Sequence, residues 1–164
     1  MGIPAKLVDF LAKNNVKYEV IPHSEAFTAQ ELAAIEHVKG RYHAKVVMVK
    51  ANSSYVMAVL AADHRVNLEC FEKILGKRSA LASEEEFASL FPDCNRGAMP
   101  PFGNLYGVPT YVDRSLTRND FIVFEAGTHT NAIKMGYADY ARLVGPTEED
   151  FAVKPIPPEP SGRG

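Results

Sequence analysis

The spacing of hydrophobic residues changes along the chain between the 3.6-residue period of helices and the two-residue period of strands. Near the start, Leu7, Val8, Phe10 and Leu11 fall on roughly one helical face, and Pro4 suits a first helical turn. The same spacing predicts later helices, two of which begin with a capping box. The predicted helices are PAKLVDFLAKNN, TAQELAAIEH with its box of Thr28 and Glu31, LECFEKILG, SEEEFASLF with its box of Ser83 and Glu86, and YADYARLV.

Runs rich in β-branched and aromatic residues lie between these helices and predict strands. Two of the runs are separated only by the turn-forming residues 51–53, which predicts a hairpin. The predicted strands are VKYEVI, AKVVMVK, SYVMAVLA, VPTYVD, DFIVFEA and THTNAIKM. Helices and hairpins alternate without regular strand–helix–strand repeats. We therefore predict an α+β fold with a mixed or largely antiparallel sheet that could close into a barrel.

The length and composition indicate one globular domain. The chain has 164 residues, of which 46% are hydrophobic and 23% charged, and this is enough for a single core. We expect the domain to span residues 1–150 and to close after the last helix at Gly145-Pro146. The proline-rich segment 151–164 is predicted to be a disordered tail.

The net charge and the cysteine content limit which partners and which cellular compartment fit the sequence. The net charge of −2 gives no overall attraction to nucleic acid or anionic membranes, so such a partner would need a local patch. The chain shows no apolar leader and no window long enough to span a membrane. Cys70 and Cys94 form no CxxC pair. We therefore expect a reduced, cytoplasmic protein with two free thiols and no membrane partner.

Common catalytic and cofactor motifs are missing from the sequence. There is no GxSxG, Walker, GxGxxG or HExxH motif, and the five histidines show no metal-ligand spacing. We expect neither a metal nor a cofactor.

Lys45 is a first candidate for chemistry. It begins a predicted strand and shares one face with Val47 and Val49. Such a lysine is either a buried cation aimed at an anionic or carbonyl group, or a solvated side chain at the strand edge. The sequence leaves both interpretations open.

A local basic cluster surrounds this lysine. Lys39, Arg41, Lys45 and Lys50 follow one another without an acidic residue after Glu36. The cluster is suited to phosphate contacts. Alternatively, it is a charged segment balanced by acids elsewhere in the fold.

The segment GAMPPFG, residues 97–103, predicts a rigid loop. Its adjacent prolines fix φ, and they hold the N–H groups of Gly97, Ala98 and Met99 in place. Preorganised N–H groups can bind an oxyanion or a carbonyl, although a stiff turn between a helix and a strand would have the same sequence. Further along, Gly127 suggests an unusual backbone angle, and His129 is either a hydrogen-bond donor or a structural residue of the sheet.

Together these segments resemble the YbaK/prolyl-tRNA-synthetase-associated domain family. Lys45 at the head of a strand, GAMPPFG and AGTHTNAIKM occur in that family's order, and SEAFTAQELAAIEHVKGRYHAK resembles the helix that precedes its lysine strand. The likeness runs from about Tyr18 to Pro146. It implies a barrel-like mixed sheet surrounded by helices. It also implies a trans-editing enzyme, similar to the editing domain of bacterial prolyl-tRNA synthetase, which hydrolyses the ester of mischarged aminoacyl-tRNA.

The resemblance also implies roles for individual residues. Lys45 would hold the terminal adenosine of the tRNA, the backbone of Gly97 in the GxxxP pattern would position the scissile carbonyl or the attacking water, and Gly127 with His129 would line the amino-acid pocket. Some branches of the family have asparagine after the lysine, where this chain has Val46, so the substrate stays open. The full set of expected substrate-binding residues is Phe27, Val47, Ala98, Met99, Pro100, Pro101, Phe102, Gly103, Gly127, Thr128 and His129, with tRNA contacts at Lys39, Arg41 and Lys50.

The implied mechanism needs no catalytic triad. Rigid backbone donors would stabilise the tetrahedral oxyanion, and a ribose hydroxyl beside the ester would help to activate water. Steric limits from Phe102, Met99 and the helix near Phe27 would restrict the pocket to a small amino acid. The expected partner is the acceptor end of aminoacyl-tRNA, while the need for a synthetase and the oligomeric state stay open.

Two other functions fit the same residues. One is a module of the same fold that binds a nucleotide or aminoacyl-tRNA without turnover. The other is a different small hydrolase that acts on a free aminoacyl ester or thioester through Cys94 or His129.

Overall fold

The computed structural model describes residues 2–24 and 39–154. The helices in this part of the chain are α1 (Ala5–Lys13), α2 (Leu68–Leu75), α3 (Glu84–Phe87) and α4 (Tyr137–Val144). The strands are β1 (Tyr18–Pro22), β2 (Ala44–Ala51), β3 (Ser54–Ala61), β4 (Arg65–Val66), β5 (Ser79–Leu81), β6 (Thr110–Asp113), β7 (Phe121–Thr128), β8 (Asn131–Gly136), β9 (Thr147–Glu149) and β10 (Ala152–Val153). None of these helices is long and apolar enough to cross a membrane.

The predicted helices within the described residues are confirmed. Ser83 and Glu86 form the predicted capping box of α3, which continues only as a 3₁₀ turn over Ala88–Leu90. Gly145 ends α4 in the left-handed conformation with φ of 61°. The predicted helix TAQELAAIEH, with Thr28 and Glu31, lies outside the described residues.

Two sheets form most of the fold. The larger sheet has the order β5-β2-β3-β6-β9, in which β2 and β3 form the predicted antiparallel hairpin while β6 lies parallel to both β3 and β9. The smaller sheet is antiparallel with the order β1-β8-β7, and β4 pairs separately with β10. The predicted α+β class with a mixed sheet is therefore confirmed.

One predicted strand begins in the wrong place. THTNAIKM was expected as a single strand, but Thr128 ends β7 and pairs with Asn131, the first residue of β8. His129 and Thr130 form the tight turn between the two strands. The correction matters because it places His129 at the tip of a hairpin rather than inside the sheet.

Within the described residues, one isolated bridge joins the two sheets. His43, just before β2, pairs in parallel with Val123 of β7. The main hydrophobic core includes Met57, Phe124 and Ile133, and so joins the larger sheet to the smaller one. The two sheets therefore share one hydrophobic core.

The two faces of β2 serve different cores. Ala44 and Met48 belong to the main core, whereas Val47 and Val49 contribute to a second cluster that includes Phe71 of α2. Because side chains alternate along a strand, Lys45 lies on the same face as Val47, away from the main core.

The ordered structure extends past the predicted domain end. Phe151 is 1% exposed and its ring packs on Phe71 at a centroid distance of 4.5 Å. Residues 151–154 therefore belong to the packed fold, and residues 155–164 lie outside the described part of the chain.

Asp113 fixes this last segment. Its buried carboxylate accepts hydrogen bonds from the backbone N–H groups of Phe151 and Ala152, both at 2.9 Å. The other carboxylate oxygen accepts from the backbone N–H of Ser115 at 3.1 Å and from its hydroxyl. One side chain thus ties together the turn after β6 and the start of β10.

We predict that Asp113→Ala lowers the free energy of unfolding by about 2–5 kcal/mol, because buried donors left without an acceptor cost about 1–3 kcal/mol each. Asp150→Ala serves as the control, since Asp150 forms only an exposed ion pair with Arg114 and its loss should cost about 0–1 kcal/mol. Urea unfolding measures both variants. Equal stabilities would contradict the role given to Asp113.

Candidate active site

The loop that contains Gly97 is hydrogen-bonded to β7 through main-chain atoms. The N–H of Asn95 donates to Gly127 O at 2.8 Å, and the N–H of Gly127 donates to Ala98 O at 2.8 Å. Within the loop, the N–H of Ala98 donates to Asn95 O at 3.1 Å. We call these three bonds the backbone clamp. They hold the exposed Gly97 at a φ of 77°, a conformation that favours glycine.

The clamp leaves some of the expected donors available. Ala98 uses its N–H inside the loop, which removes it from the predicted set of oxyanion donors. The N–H groups of Gly97 and Met99 have no acceptor within residues 2–24 and 39–154. Gly97 is the exposed one of the two, so it is the better candidate to bind an oxygen of the substrate.

Gly127 is glycine for two physical reasons. Its φ is 88°, and an added Cβ would lie 2.4 Å from Cδ of Pro4. It sits where the β7–β8 register shifts between Glu125 and Thr128. The close contact with Pro4 packs the beginning of α1 against the strand that carries the clamp.

His129 lies beside Gly97. Its Nε2 is 2.5 Å from Arg96 O, and because a carbonyl only accepts, Nε2 carries the proton of this bond. Its Nδ1 is 3.5 Å from Oε1 of Glu125. The imidazole Cε1 would be 3.8 Å from a Cβ at Gly97. The structure thus brings together Gly97, Gly127 and His129, as the sequence patterns implied.

Glu125 is a site residue that the sequence analysis did not single out. Its side chain is 9% exposed and it lies on β7, four residues before His129. The signal was present in the strand DFIVFEA, where an acid interrupts an apolar run two residues before Gly127. Glu125 helps to hold the imidazole that in turn contacts the Gly97 loop.

The second half of the loop is structural. Pro100, Pro101 and Gly103 are buried, and Pro101 O accepts a hydrogen bond from Tyr140 at 2.7 Å. A Cβ at Gly103 would be 2.2 Å from Oγ1 of Thr110. These contacts anchor the loop to α4 and β6.

Phe102 differs from its predicted role as a pocket wall. Its side chain is 0% exposed and its ring lies 5.5 Å from the rings of both Phe124 and Tyr140. As placed, Phe102 is a core residue rather than a surface for a ligand. Thr128 is also buried, and its hydroxyl accepts from Asn131 Nδ2 at 3.1 Å within the hairpin turn.

A small cavity adjoins Gly97. Its volume is about 20 Å³, and Phe87, Phe91 and Met99 are among the residues that line it. This is room for roughly one water-sized group. Met99 thus lines this cavity, whereas Val47 packs in the second hydrophobic cluster and Phe27 lies outside the described residues.

Lys45 is half-buried at the beginning of β2. Its Nζ lies 3.4 Å from Ala62 O, and burial lowers the pKa of Lys45, an effect that the nearby Asp63 partly offsets. Lys45 is thus neither fully buried nor fully solvated, and its role toward a substrate stays a prediction. Burial also lowers the pKa of the neighbouring His43 to about 4, with a smaller contribution from His23, so His43 is neutral at pH 7.

The bridge between His43 and Val123 places Lys45 near the strand that carries Gly127. Lys45 and Glu125 each lie two residues beyond the bridge between His43 and Val123, on strands that run in parallel there. Because side chains alternate, both lie on the face turned away from the main core. The junction thus places the lysine strand beside the strand that carries Gly127.

The predicted basic cluster is divided in the structure. Lys39 and Arg41 are exposed before β2. Lys50 lies five residues beyond Lys45, about 16 Å along the strand, where its Nζ pairs with Glu86 at 3.0 Å. Lys50 therefore follows the alternative interpretation of a charge balanced by an acid.

Cys94 is poorly suited to be a nucleophile. Burial raises its pKa to about 11, and its Sγ lies 3.4 Å from the hydroxyl of Tyr106. Within the described residues, no group of three His, Cys, Asp or Glu side chains is placed to hold a metal ion.

Comparison with solved structures defines the class of fold. The hypothetical protein APE2540 superposes with a TM-score of 0.82 at 19% identity, covering 90% of this chain and 99% of its own. A protein described as a candidate trans-editing enzyme for prolyl-tRNA synthetase superposes with a TM-score of 0.77 at 19% identity, covering 90% of this chain and 95% of its own.

Sequence comparison gives the family. Residues 23–143 match the aminoacyl-tRNA editing domain, and the chain belongs to this family. It is 28% identical over 152 residues to the multifunctional Ser/Thr-tRNA deacylase ProXp-y of Escherichia coli K12, covering 89% of this chain and 90% of that protein. The predicted function class, a trans-editing aminoacyl-tRNA deacylase, is confirmed.

We predict that Gly127→Ala lowers the free energy of unfolding by about 2–5 kcal/mol, because the added methyl overlaps Pro4 and the backbone angle is strained. Gly107→Ala is the matched control, with a φ of 70° and no atom within 4 Å of the added Cβ. It should lose only about 1–2 kcal/mol. Similar losses in thermal or urea unfolding would show that the contact with Pro4 is unimportant.

We also predict that Cys94 resists alkylation in the folded protein. With a pKa of about 11, only about one thiol in a thousand is ionised at pH 8. Iodoacetamide labelling followed by mass spectrometry should detect slow modification of Cys94, with fast modification after unfolding in urea as the control. Rapid labelling of folded protein with loss of deacylation would favour the cysteine hydrolase.

Proposed function

We propose that this protein removes serine or threonine from mischarged tRNA by hydrolysing the ester to the terminal adenosine. The observation that carries the proposal is the backbone clamp, which holds Gly97 exposed beside His129. The deacylase relative that acts on Ser- and Thr-tRNA supports the choice of amino acids.

Gly97 would stabilise the transition state. Ester hydrolysis develops negative charge on the carbonyl oxygen, and a fixed N–H aimed at that oxygen needs no reorganisation. The clamp supplies this rigidity through bonds of 2.8 Å on both sides of Gly127. The contact of His129 with Arg96 O holds the same loop at the neighbouring peptide.

Lys45 would bind the nucleotide end of the substrate. Burial makes its ammonium group less well solvated than one on the surface, so it gains more from an anionic or carbonyl partner. The phosphate or the ribose oxygens of the terminal nucleotide provide such a partner. Arg41 and Lys39 would contact the tRNA further from the ester, whereas Lys50 is engaged by Glu86.

Water would be activated with help from the substrate. Cys94 is buried with a raised pKa, and His129 donates its Nε2 proton to Arg96 O. The hydroxyl of the terminal ribose lies beside the ester in every aminoacyl-tRNA. It would therefore orient the attacking water against the carbonyl held by Gly97.

The small cavity beside Gly97 would select small amino acids. A space of about 20 Å³ admits a hydroxyl or methyl group and not a ring or a long chain. Hydrophobic walls discriminate one methylene by only about 1–3 kcal/mol, so serine and threonine would both be accepted. A synthetase partner would extend this selection, and a cytoplasmic location would fit a substrate of charged tRNA.

We predict that the wild type hydrolyses Ser-tRNA or Thr-tRNA and that Lys45→Ala lowers kcat/KM by at least about 10²-fold. Gly97→Ala keeps the N–H but strains the φ of 77°, so it should misplace the donor and lower kcat by up to about 10²–10³-fold, the usual cost of losing one oxyanion contact. Lys73→Ala, an exposed lysine of α2, is the control and should match the wild type. Release of labelled amino acid from a panel of charged tRNAs measures all four proteins.

Two results would contradict the proposal. Binding of charged tRNA without hydrolysis of any panel member would favour the non-catalytic binding module. Full activity of Lys45→Ala would show that the substrate is held elsewhere.

A further inference from the structure

We propose that a cleft beside Lys45 binds backbone phosphates at the acceptor end of the tRNA; the proposal rests on the function proposed above. We call it the Arg118 cleft. It has a volume of about 450 Å³. Its lining residues are Arg41, Tyr42, Ala61, Asp63, His64, Ser115, Arg118, Asn119, Asp120 and Lys154.

Cations from three separate parts of the chain line the cleft. Arg41 precedes β2, Arg118 follows β6 and Lys154 follows β10. Arg118 and Lys154 form no ion pair within residues 2–24 and 39–154. Nearby Arg114, by contrast, is neutralised by Asp150 at 2.6 Å. The cleft cations are therefore available to an external anion.

The acids of the cleft do not cancel these charges. Of the two carboxylates, Asp63 accepts from Nδ1 of His64 at 2.7 Å. The lining has three cations, Arg41, Arg118 and Lys154, against the two carboxylates of Asp63 and Asp120. A groove with excess positive charge follows a nucleic acid backbone without reading its sequence.

Contacts with Tyr42 hold the Arg41 side chain in place and leave donors for a phosphate. Its guanidinium carbon lies 4.8 Å from the centre of the Tyr42 ring, and Nη2 donates to the Tyr42 hydroxyl at 2.9 Å. Tyr42 is itself stacked on Phe121 at 4.5 Å with an interplanar angle of 4°. Because only one N–H of the guanidinium is used in this bond, the other donors stay free for phosphate oxygens.

The remaining cations are positioned by the fold. Asn119 Nδ2 donates to Arg41 O at 2.7 Å, which brings the Arg118 turn against the Arg41 segment. Asp113 binds both Ser115, three residues before Arg118, and Ala152, two residues before Lys154. Specific hydrogen bonds thus bring the segments that carry these charges together.

The cleft adjoins the proposed catalytic site. Lys45 Nζ contacts Ala62 O, and the next residue, Asp63, lines the cleft and raises the pKa of Lys45. A terminal nucleotide held at Lys45 would therefore have its preceding phosphates at the cleft. The open, charged shape suits this polyanion better than a buried small molecule.

The test compares two substrates. Arg118→Ala/Lys154→Ala is assayed on Ser-tRNA or Thr-tRNA and on the same amino acid esterified to adenosine, which has no phosphate. We expect kcat/KM to fall at least about tenfold on tRNA and to stay within about twofold on the adenosine ester. The slope of log kcat/KM against log salt on tRNA should become shallower by about 1.4–1.8, or about 0.7–0.9 for each lost phosphate contact.

Lys73→Ala/Arg78→Ala is the matched control. It removes the same two types of charge from exposed positions outside the cleft, and it should leave both substrates unchanged. Wild-type values for the cleft variant on tRNA, or equal losses on both substrates, would overturn the proposal.

Failure of the proposed function gives a different result. If the wild type hydrolyses neither substrate, affinity for uncharged tRNA still tests the cleft. Weaker binding by the cleft variant alone would support it, and equal binding by wild type and both variants would overturn it.

Discussion

The site depends on one constraint, the set of main-chain hydrogen bonds between the Gly97 loop and β7. Two bonds of 2.8 Å use the carbonyl and the N–H of Gly127, which is possible because the strand is irregular there and its φ is positive. Without the irregularity, Gly127 would direct these groups to a neighbouring strand, and the Gly97 end of the loop would lose both bonds. His129 and Glu125 add side-chain contacts to a geometry that the backbone already defines.

A second organising contact is the buried carboxylate of Asp113. It receives donors from two segments that are distant in sequence, the turn after β6 and the start of β10. Backbone donors stabilise a buried carboxylate as well as a cation would, without placing another charge in the interior. The cations that follow these segments therefore remain at the surface, beside the strand of Lys45.

Much of the fold followed from local pattern. The helices and the β2–β3 hairpin were predictable because periodicity, capping boxes and turn residues act within a few positions. The strand from Thr128 was misplaced because Gly127 and the turn at His129 interrupt a run that reads as continuous. The parallel pairing of β6 with β3 and β9 was not predictable, because it joins segments that are far apart in sequence.

In the site too, residues marked by a local pattern were predictable, and residues whose environment depends on distant parts of the chain were not. Gly97, Gly127 and His129 were singled out by short patterns together with the family resemblance, and the structure places them close together. Phe102 was assigned to the pocket, since an aromatic residue in a loop does not reveal which way it faces, and its burial puts it in the core. Lys50 looked like part of a basic cluster because its partner Glu86 is distant in sequence.

The backbone clamp has a consequence for how this enzyme tolerates change. Its bonds join main-chain atoms, so replacing a side chain deletes none of them directly, and only the allowed φ angles and the space around Gly127 limit the residues used. Alanine scanning would therefore detect these positions only through strain. Replacing single amides by esters would remove one donor at a time. A site built in this way can keep its shape while most of the surrounding sequence diverges.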